Sequence, residues 1–259
     1  MFANDLLFFG KATKGSGDCL KEILTNYSSW SGQRINFNKS AIHFSKATLL
    51  DTKEALRETL AVNEMESSDR YLGNYLLQPK HLCKSFDFIL QKFNSKLAGW
   101  KRNTLTHAKR TILCKATLAT ISNFNMSTNI FPAQVLDKIT RYQRNFWWGH
   151  DFSDRKLHYI GWNTISKPIE QGGLNIRDAS LVNKAPLGKL TWRFLTEPNA
   201  LWVRLLKAKY LKNDDFWNHS RPSLASSVWA GLTSMRHAVK DGYYWSIGDG
   251  KKICIWEEP

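Results

Sequence analysis

The chain has 259 residues, with 37 Lys or Arg against 22 Asp or Glu and a formal net charge of +15. Hydrophobic residues form 42% of the chain, which is enough for a sizeable core and argues against intrinsic disorder. No apolar run approaches the roughly 18–20 residues of a membrane-spanning helix, and the excess of positive charge favours a polyanionic partner, nucleic acid first.

The cysteines and histidines are scattered along the sequence. Cys19, Cys83, Cys114 and Cys254 show neither a paired metal-ligand spacing nor a dense disulfide framework, and residues 6–9 do not form a secretory signal. We therefore expect reduced, buried thiols and no zinc site within this chain. The protein is expected to be intracellular, in the nucleus or the cytoplasm.

The first predicted elements are a hairpin and a helix. Residues 2–9 suit a hairpin with the polar pair Asn4 and Asp5 at its tip. Residues 19–30 predict an amphipathic helix because their apolar positions recur at helical spacing. The apolar face of this helix comprises Leu20, Ile23, Leu24, Tyr27 and Trp30.

Short strands and an acidic helix follow. Residues 35–44 predict short strands around a polar turn. Residues 51–69 hold six acids, and their first part predicts a surface helix. Residues 71–77 predict a further strand pair, closed by Pro79.

The charge then changes sign. Residues 80–115 contain nine Lys or Arg and a single acid, Asp87. Within them, residues 86–100 repeat large apolar side chains every three to four positions, which predicts a basic amphipathic helix. Thr104 is the predicted cap of a second helix. Its predicted inward side chains are Leu105, Ala108, Ile112, Ala116 and Ala119, and its predicted outward cations are Lys109, Arg110 and Lys115.

A third helix completes a helical module at 80–148. It is predicted over residues 134–148, where Val135, Ile139, Tyr142 and Phe146 share one face. The remainder of the chain is Trp-rich. It predicts a helix around residues 201–210 and a terminal hairpin at residues 243–256.

Several short strings occur together in one known family. Residues 2–8 hold an aromatic residue, Ala, two positions usually filled by Asp, and an apolar run. Residues 30–40 contain Ser-Gly-Gln-Arg-Ile-Asn, and residues 71–73 read Tyr-Leu-Gly. Further matches follow in order at residues 97–112, 146–149, 172–174, 207–210 and 248–250. Taken in this order, the strings resemble the reverse transcriptases of plant LINE-type, non-LTR retrotransposons, from the polymerase motif through the thumb.

The resemblance implies an α+β chain. Residues 1–79 would be the C-terminal part of a polymerase palm, and residues 80–160 a basic, mostly helical thumb. Residues 161–259 would be a connection region that ends in a β-hairpin and leads towards a zinc-binding region after Pro259. The fingers and the other metal-binding Asp of the family would lie before Met1, which implies a truncated gene model or a decayed element.

The resemblance also implies the catalytic chemistry. The family copies RNA into DNA with two Mg²⁺ ions, which need charged oxygen ligands at a rigid turn. Asp5 would be the remaining metal ligand, because the first Asp of the motif is Asn4 here and an amide brings no charge. Lys39 would steady the triphosphate or protonate the leaving pyrophosphate, with an ordinary surface lysine as the alternative.

Two further groups of residues follow from the resemblance. Residues Tyr71, Leu72 and Gly73 would form the primer grip. The thumb surface that tracks the RNA template and DNA primer would comprise Lys92, Lys96, Lys101, Arg102, Lys109, Arg110 and Lys115. A solvated helix face is the alternative for these cations. Trp147 and Trp148 could stack on bases, although core packing is the stronger expectation.

One local departure from the family pattern affects a helix. Pro186 and Gly188 stand where the family has helix formers, and Pro inside a helix costs about 3 kcal/mol. We therefore expect the helix before Trp192 to be broken or to start later.

The leading hypothesis is a fragment of a retrotransposon reverse transcriptase that cannot polymerise alone. One alternative is a nucleic-acid-binding module without catalysis, and another is a pseudogene product without function. The sequence does not indicate an oligomeric state.

Overall fold

The computed structural model describes residues 5–66, 69–71, 73–75, 83–100, 105–149, 157–212, 215–220, 222 and 225–242. The chain divides into two compact units, an N-terminal unit, Met1–Lys80, and a C-terminal unit, His81–Pro259. Helices dominate and the strands are short, so the predicted α+β class is confirmed. The palm, thumb and connection assignments stay predictions.

The regular elements follow in chain order. The helices are α1 Lys14–Ser31, α2 Leu50–Leu60, α3 Asp87–Ala98, α4 His107–Ala116, α5 Asn123–Met126, α6 Ala133–Trp148, α7 Trp162–Ile165, α8 Ala179–Thr196, α9 Leu201–Leu206, α10 Ser227–Ser234 and α11 Arg236–Lys240, with a π-helical turn at Lys207–Leu211. The strands are β1 Ala41–Ile42, β2 Asn63–Glu64, β3 Arg70–Tyr71 and β4 Asn74–Tyr75.

Helix α1 confirms the prediction at 19–30 but begins earlier. Thr13 caps it by accepting a hydrogen bond from the Ser16 backbone N–H at 3.3 Å. Gly17 is buried against α2, where an added Cβ would lie 2.5 Å from Cδ2 of Leu56. The predicted apolar face is therefore only partly right. Its outer members Ile23, Tyr27 and Trp30 are exposed by 54%, 42% and 85%.

Two small sheets belong to the N-terminal unit. Strands β1 and β2 pair in parallel, and β3 and β4 form an antiparallel pair around Gly73, whose φ is +81°. The strand pair predicted at 71–77 is confirmed over the residues described. Within residues 35–44, Phe37–Lys39 forms a 3₁₀ turn instead of a strand, because the Asn36 side chain caps it.

Helix α6 lies at the centre of the C-terminal unit, in contact with α3, α4 and α8. Phe93 of α3 is fully buried and stacks on Tyr142 of α6, with ring centroids 5.7 Å apart. The Cys114 thiol of α4 lies 3.9 Å from the Gln143 carbonyl oxygen. The helices predicted at 86–100 and 134–148 are confirmed.

Helix α4 differs from its prediction in both start and orientation. Its cap is Thr106, whose hydroxyl accepts from the Lys109 N–H at 3.4 Å, not Thr104. Because the helix begins after Thr106, its Arg110 and Cys114 side chains face α6, while Ile112 is 63% exposed. The predicted inward face is therefore wrong within the helix, where Ala108, Ile112 and Ala116 are exposed. Ala119, just after the helix, is buried as predicted, and Leu105 is half-buried.

Helix α8 runs unbroken through Pro186, so the predicted break before Trp192 is wrong. Pro186 has no N–H to donate to the preceding turn, so one helical hydrogen bond is lost. The burial of side chains on either side of Pro186 stabilises the helix by more than this loss costs. Leu187 and Phe194 are fully buried. Packing of α8 against α5, α6, α10 and α11 holds the helix together.

A buried amide joins distant parts of the C-terminal unit. Asn183 of α8 accepts from the Phe131 N–H at 2.9 Å and donates to the carbonyls of Met126 and Asn129 at 3.1 and 2.8 Å. The Asn129 side chain in turn accepts from the Ser227 hydroxyl at 2.6 Å. This network fixes the loop between α5 and α6 against α8 and α10.

The structure tests some of the predictions for the cysteines and for the two ends of the chain. Cys114 is buried as expected, Cys83 is half-buried and Cys19 is exposed, so the expectation of burial fails at Cys19. Cys254 and the hairpin predicted at 243–256 lie outside the described residues. Of the hairpin predicted at 2–9, residues 2–4 lie outside them, Asp5 forms an isolated β-bridge and residues 6–9 form no strand, so the predicted second strand is wrong. Across the described part of the chain, no helix has the length and apolar character needed to cross a bilayer.

Candidate nucleic-acid interface

The predicted polymerase residues lie in the N-terminal unit. Asp5 is exposed and forms an isolated β-bridge, and Lys39 is exposed at the end of the 3₁₀ turn. No ion pair joins the two among the described residues. Asn4 lies outside the described part of the chain.

A metal centre at Asp5 would require further oxygen ligands close to it. Within the described ranges, no group of three or more His, Cys, Asp or Glu side chains could hold a metal ion. Two Mg²⁺ ions need several hard oxygen ligands, so Asp5 by itself does not fit them.

The predicted primer grip maps to the turn between β3 and β4. Tyr71 is half-buried and faces Asn74 in the strand register, and Gly73 occupies the left-handed region that the tight turn requires. Leu72 lies outside the described residues.

The predicted thumb cations divide between the surface and the interior. Lys92 and Lys96 lie one turn apart on the exposed side of α3, opposite the buried Phe93 and Leu97. The Lys92 ammonium also lies 5.5 Å from the centre of the Phe88 ring. On α4, Lys109 is exposed and Lys115 is half-buried. Lys101 and Arg102 lie outside the described residues.

Arg110 is not on the surface, and its predicted outward position is wrong. It is 7% exposed, and its Nη1 donates to the Trp147 carbonyl at 3.2 Å, at the C-terminal end of α6. Gly149 makes room for it, since an added Cβ there would lie 2.5 Å from Nη1. A cation at the negative end of a helix stabilises that end, which explains why Arg110 is inside. Burial lowers the pKa of Arg110.

Sequence reasoning missed a further row of cations on α6. Lys138 and Arg141 are exposed and Arg144 is half-buried, at three-residue intervals on the helix. These three cations lie within the helix predicted at 134–148. Extending the charge count beyond Lys115 would therefore have found them. The exposed acid of the same helix is Asp137.

The cation-bearing helices share one scaffold. Helices α3 and α4 both pack on α6, and Trp147 Nε1 donates to the Thr111 hydroxyl at 2.9 Å. Among the described residues the ion pairs are Lys53–Glu64 and Arg193–Glu197, so the lysines of α3, α4 and α6 have no carboxylate partner there.

The tryptophans at the end of α6 are core residues. Trp147 and Trp148 are 8% and 7% exposed and pack edge to face, with ring centroids 4.8 Å apart. This agrees with the stronger of the two expectations. The His158 ring stacks on Trp148 at 5.3 Å, and desolvation together with the nearby Arg144 charge lowers the pKa of His158.

Burial raises the pKa of the Cys114 thiol to about 12.

Comparison with known proteins identifies plant relatives. A "putative ribonuclease H protein" of Arabidopsis thaliana is 33% identical over 187 residues, which cover 71% of this chain and 30% of that protein. An uncharacterized mitochondrial protein of the same plant is 30% identical over 120 residues, 46% of this chain and 78% of that protein. No family model matches the chain, and no solved structure matches it significantly.

These relatives indicate the class of protein. They are retrotransposon-like plant proteins, and this chain is of the same transposon-derived type. The chain belongs to the family of the Arabidopsis mitochondrial protein, most of whose length it matches. It spans less than a third of the length of the ribonuclease H protein.

Proposed function

We propose that the chain is a fragment of a non-LTR retrotransposon reverse transcriptase that binds the template and primer backbone through its C-terminal unit and does not polymerise alone. The observation that carries the proposal is the distribution of charge. The C-terminal unit has 27 Lys or Arg against 13 Asp or Glu, and the N-terminal unit has 10 against 9.

The exposed lysines of α3, α4 and α6 support backbone binding. They lie on helices that a common core holds in place, and they lack carboxylate partners among the described residues. Lysines of this kind neutralise phosphates without reading bases. Binding should therefore be independent of the nucleotide sequence. It should also weaken steeply as the salt concentration rises, because the release of counterions from the nucleic acid then becomes less favourable.

The test compares two fourfold variants of equal charge. The interface variant replaces the exposed lysines of the three helices by Ala: Lys92, Lys96, Lys109 and Lys138. The control variant replaces four exposed lysines of the N-terminal unit by Ala: Lys11, Lys14, Lys21 and Lys46. Both variants are titrated with labelled duplex at several salt concentrations, with circular dichroism to check folding.

The interface variant should flatten the plot of log K against log salt by about 3 to 4, because each lost phosphate contact removes about 0.9 from the slope. The control should retain the slope. Equal losses in both variants would show that net charge alone acts and would overturn the proposed interface.

Primer extension separates the enzyme from the binding module. The chain should extend no primer, and Asn4→Asp should not restore extension, since the described residues supply no group of metal ligands to complete a two-ion site. Extension by Asn4→Asp would refute this part of the proposal. A non-catalytic nucleic-acid-binding module is the second candidate, favoured by the same absence of a ligand group in the described residues.

A further inference from the structure

A second cluster of cations surrounds the aromatic core at the C-terminal end of the described chain. The core comprises Phe194, Val203, Tyr210, Leu211, Phe216, Trp229 and Leu232. Lys207 lies 5.6 Å from the Phe194 ring centre and Lys209 lies 5.2 Å from that of Tyr210. Arg236 and Lys240 lie over Phe216 and Trp217 at 5.0 and 5.9 Å. Cations therefore line the edge of this core.

The π-helical turn leaves Lys209, one of these cations, exposed to solvent. Helix α9 continues into Lys207–Leu211, where the Lys212 N–H donates to the Lys207 carbonyl at 3.0 Å. The wider turn places both Tyr210 and Leu211 in the core and leaves Lys209 and Lys212 exposed. Single π turns in helices occur often at functional sites.

The turn is held rigidly. The Tyr210 hydroxyl accepts from the Ser226 N–H at 3.0 Å, and its ring stacks on the fully buried Trp229 at 4.7 Å with an interplanar angle of 14°. Lys212 closes the turn with a φ of +48°, a conformation that a residue with a side chain seldom adopts. Cations on a rigid element lose less entropy when they bind a ligand.

These cations differ in their partners and their exposure. Arg236 donates from Nη1 to the carbonyls of Trp217 and His219 at 2.8 and 3.0 Å, which fixes it inside the fold. Arg204, Lys209 and Lys212 are exposed, and among the described residues no ion pair involves them. The nearby Glu197 is already paired with Arg193.

The exposed side of α9 and the π turn also presents leucines. Leu201 and Leu205 are 71% and 62% exposed and flank Arg204 along the helix. The faces of unpaired bases are largely apolar, so they can pack against exposed leucines that lie between phosphate-binding cations. A duplex offers its phosphates but hides its base faces.

We infer that Arg204, Lys209 and Lys212, together with Leu201 and Leu205, form a second nucleic-acid site, and that this site binds a single strand. We call it the π-turn site. It lies on other elements than the lysines of α3, α4 and α6. The ligand class rests on the proposed function, but the residues and the single-strand preference are independent of it.

The experiment uses the full chain and a labelled oligouridine RNA, with a duplex of equal length as comparison. The π-turn variant carries Arg204→Ala, Lys209→Ala and Lys212→Gly, because Gly has no Cβ to strain the positive φ at this position. The matched control removes three exposed lysines of the same unit as Lys167→Ala, Lys184→Ala and Lys189→Ala. Circular dichroism checks that all variants fold.

The π-turn variant should bind the single strand at least tenfold more weakly at low salt and lose about 2 from the salt slope, at about 0.7 per contact. The control should lose less than threefold, and duplex binding by the π-turn variant should change less than single-strand binding. Leu205→Gln should weaken single-strand binding without changing the slope, because the leucine carries no charge.

The outcomes separate the two proposals. An effect of the π-turn variant without an effect of the α3, α4 and α6 variant would support this site and overturn the proposed interface. The reverse result, or equal losses in the lysine control, would overturn the π-turn site alone. Loss of binding with Leu205→Gln but not with the cation variant would also overturn it and would indicate an apolar docking surface for a protein.

Discussion

The two units of the chain show the same helical periodicity with different results. In the N-terminal unit, the apolar stripe of α1 buries Gly17 against Leu56 but leaves Trp30 85% exposed. In the C-terminal unit, the stripe of α6 is buried along its length, from Val135 to Phe146. Periodicity predicts that a helix forms, whereas burial depends on how many neighbouring elements cover the stripe. Helix α1 packs on α2, and α6 packs on α3, α4 and α8.

Charge divides the units in the same way. The N-terminal unit is close to neutral, with 10 basic and 9 acidic residues, and the C-terminal unit has an excess of 14 basic residues from 27 against 13. The unit with the fuller core therefore also carries the surface charge. A rigid scaffold that positions cations is suited to backbone binding, and the predictions below test how far the units differ.

Thiol reactivity should show the largest contrast. Burial raises the pKa of Cys114 to about 12, which leaves about a thousandfold fewer thiolates than an ordinary cysteine, while Cys19 is exposed. A brief iodoacetamide pulse followed by peptide mass spectrometry should label Cys19 and spare Cys114. In denaturant both should react alike. Equal labelling of the native protein would show that α4 is not packed on α6 as described.

Replacing the buried amide should be the most destabilising single change proposed here. Asn183→Leu leaves the Phe131 N–H and the carbonyls of Met126 and Asn129 without their partner, at a cost of about 3–5 kcal/mol in the free energy of unfolding. Urea denaturation measures the loss. The matched variant Asn94→Leu, on the exposed side of α3, should change stability by less than about 0.5 kcal/mol. Similar losses in both would contradict the network.

Pro186→Ala should act in the opposite direction. It restores a helical N–H in the middle of α8, which should raise stability by about 1–2 kcal/mol after the greater freedom of the unfolded chain is subtracted. Thermal unfolding measures the change, with Pro198→Ala, at an exposed position after α8, as the control. A fall in the melting temperature would mean that Pro186 supports a conformation that a regular helix would not.

The sequence predicted the type of each secondary-structure element better than it predicted which side chains of that element are buried. The helices at 86–100 and 134–148 and the strand pair after Arg70 follow from periodicity and turn residues alone. Arg110 could not be placed, because its position depends on the end of α6 and on the room that Gly149 leaves, 39 residues later. The unbroken α8 depends on packing from four other helices. Such long-range contacts override local propensity.

The candidate site shows the same division. Counting charges located the basic stretch that contains α3 and α4, and it missed the cations of α6 and the π turn because the count stopped at Lys115. Chain order cannot show that Lys207–Leu211 forms a π-helical turn with Tyr210 and Leu211 both buried, since that depends on packing against residues far along the chain. The catalytic assignments of Asp5 and Lys39 came from resemblance and stay predictions.

The smallest expected effect concerns His158 beside Trp148. Desolvation, and then the charge of Arg144, lowers the pKa of His158 below 6.5. The folded state therefore binds this proton less readily than the unfolded state, so stability falls slightly as pH drops from 6.5 through the folded pKa. NMR titration should give a pKa below 6.5, and Arg144→Gln should raise it part of the way. Arg141→Gln, which removes an equal charge from the exposed side of α6, should leave it unchanged. An unshifted pKa in the native protein would show that the His158 ring does not stack against the end of α6, and the aromatic cluster there would then be smaller than described.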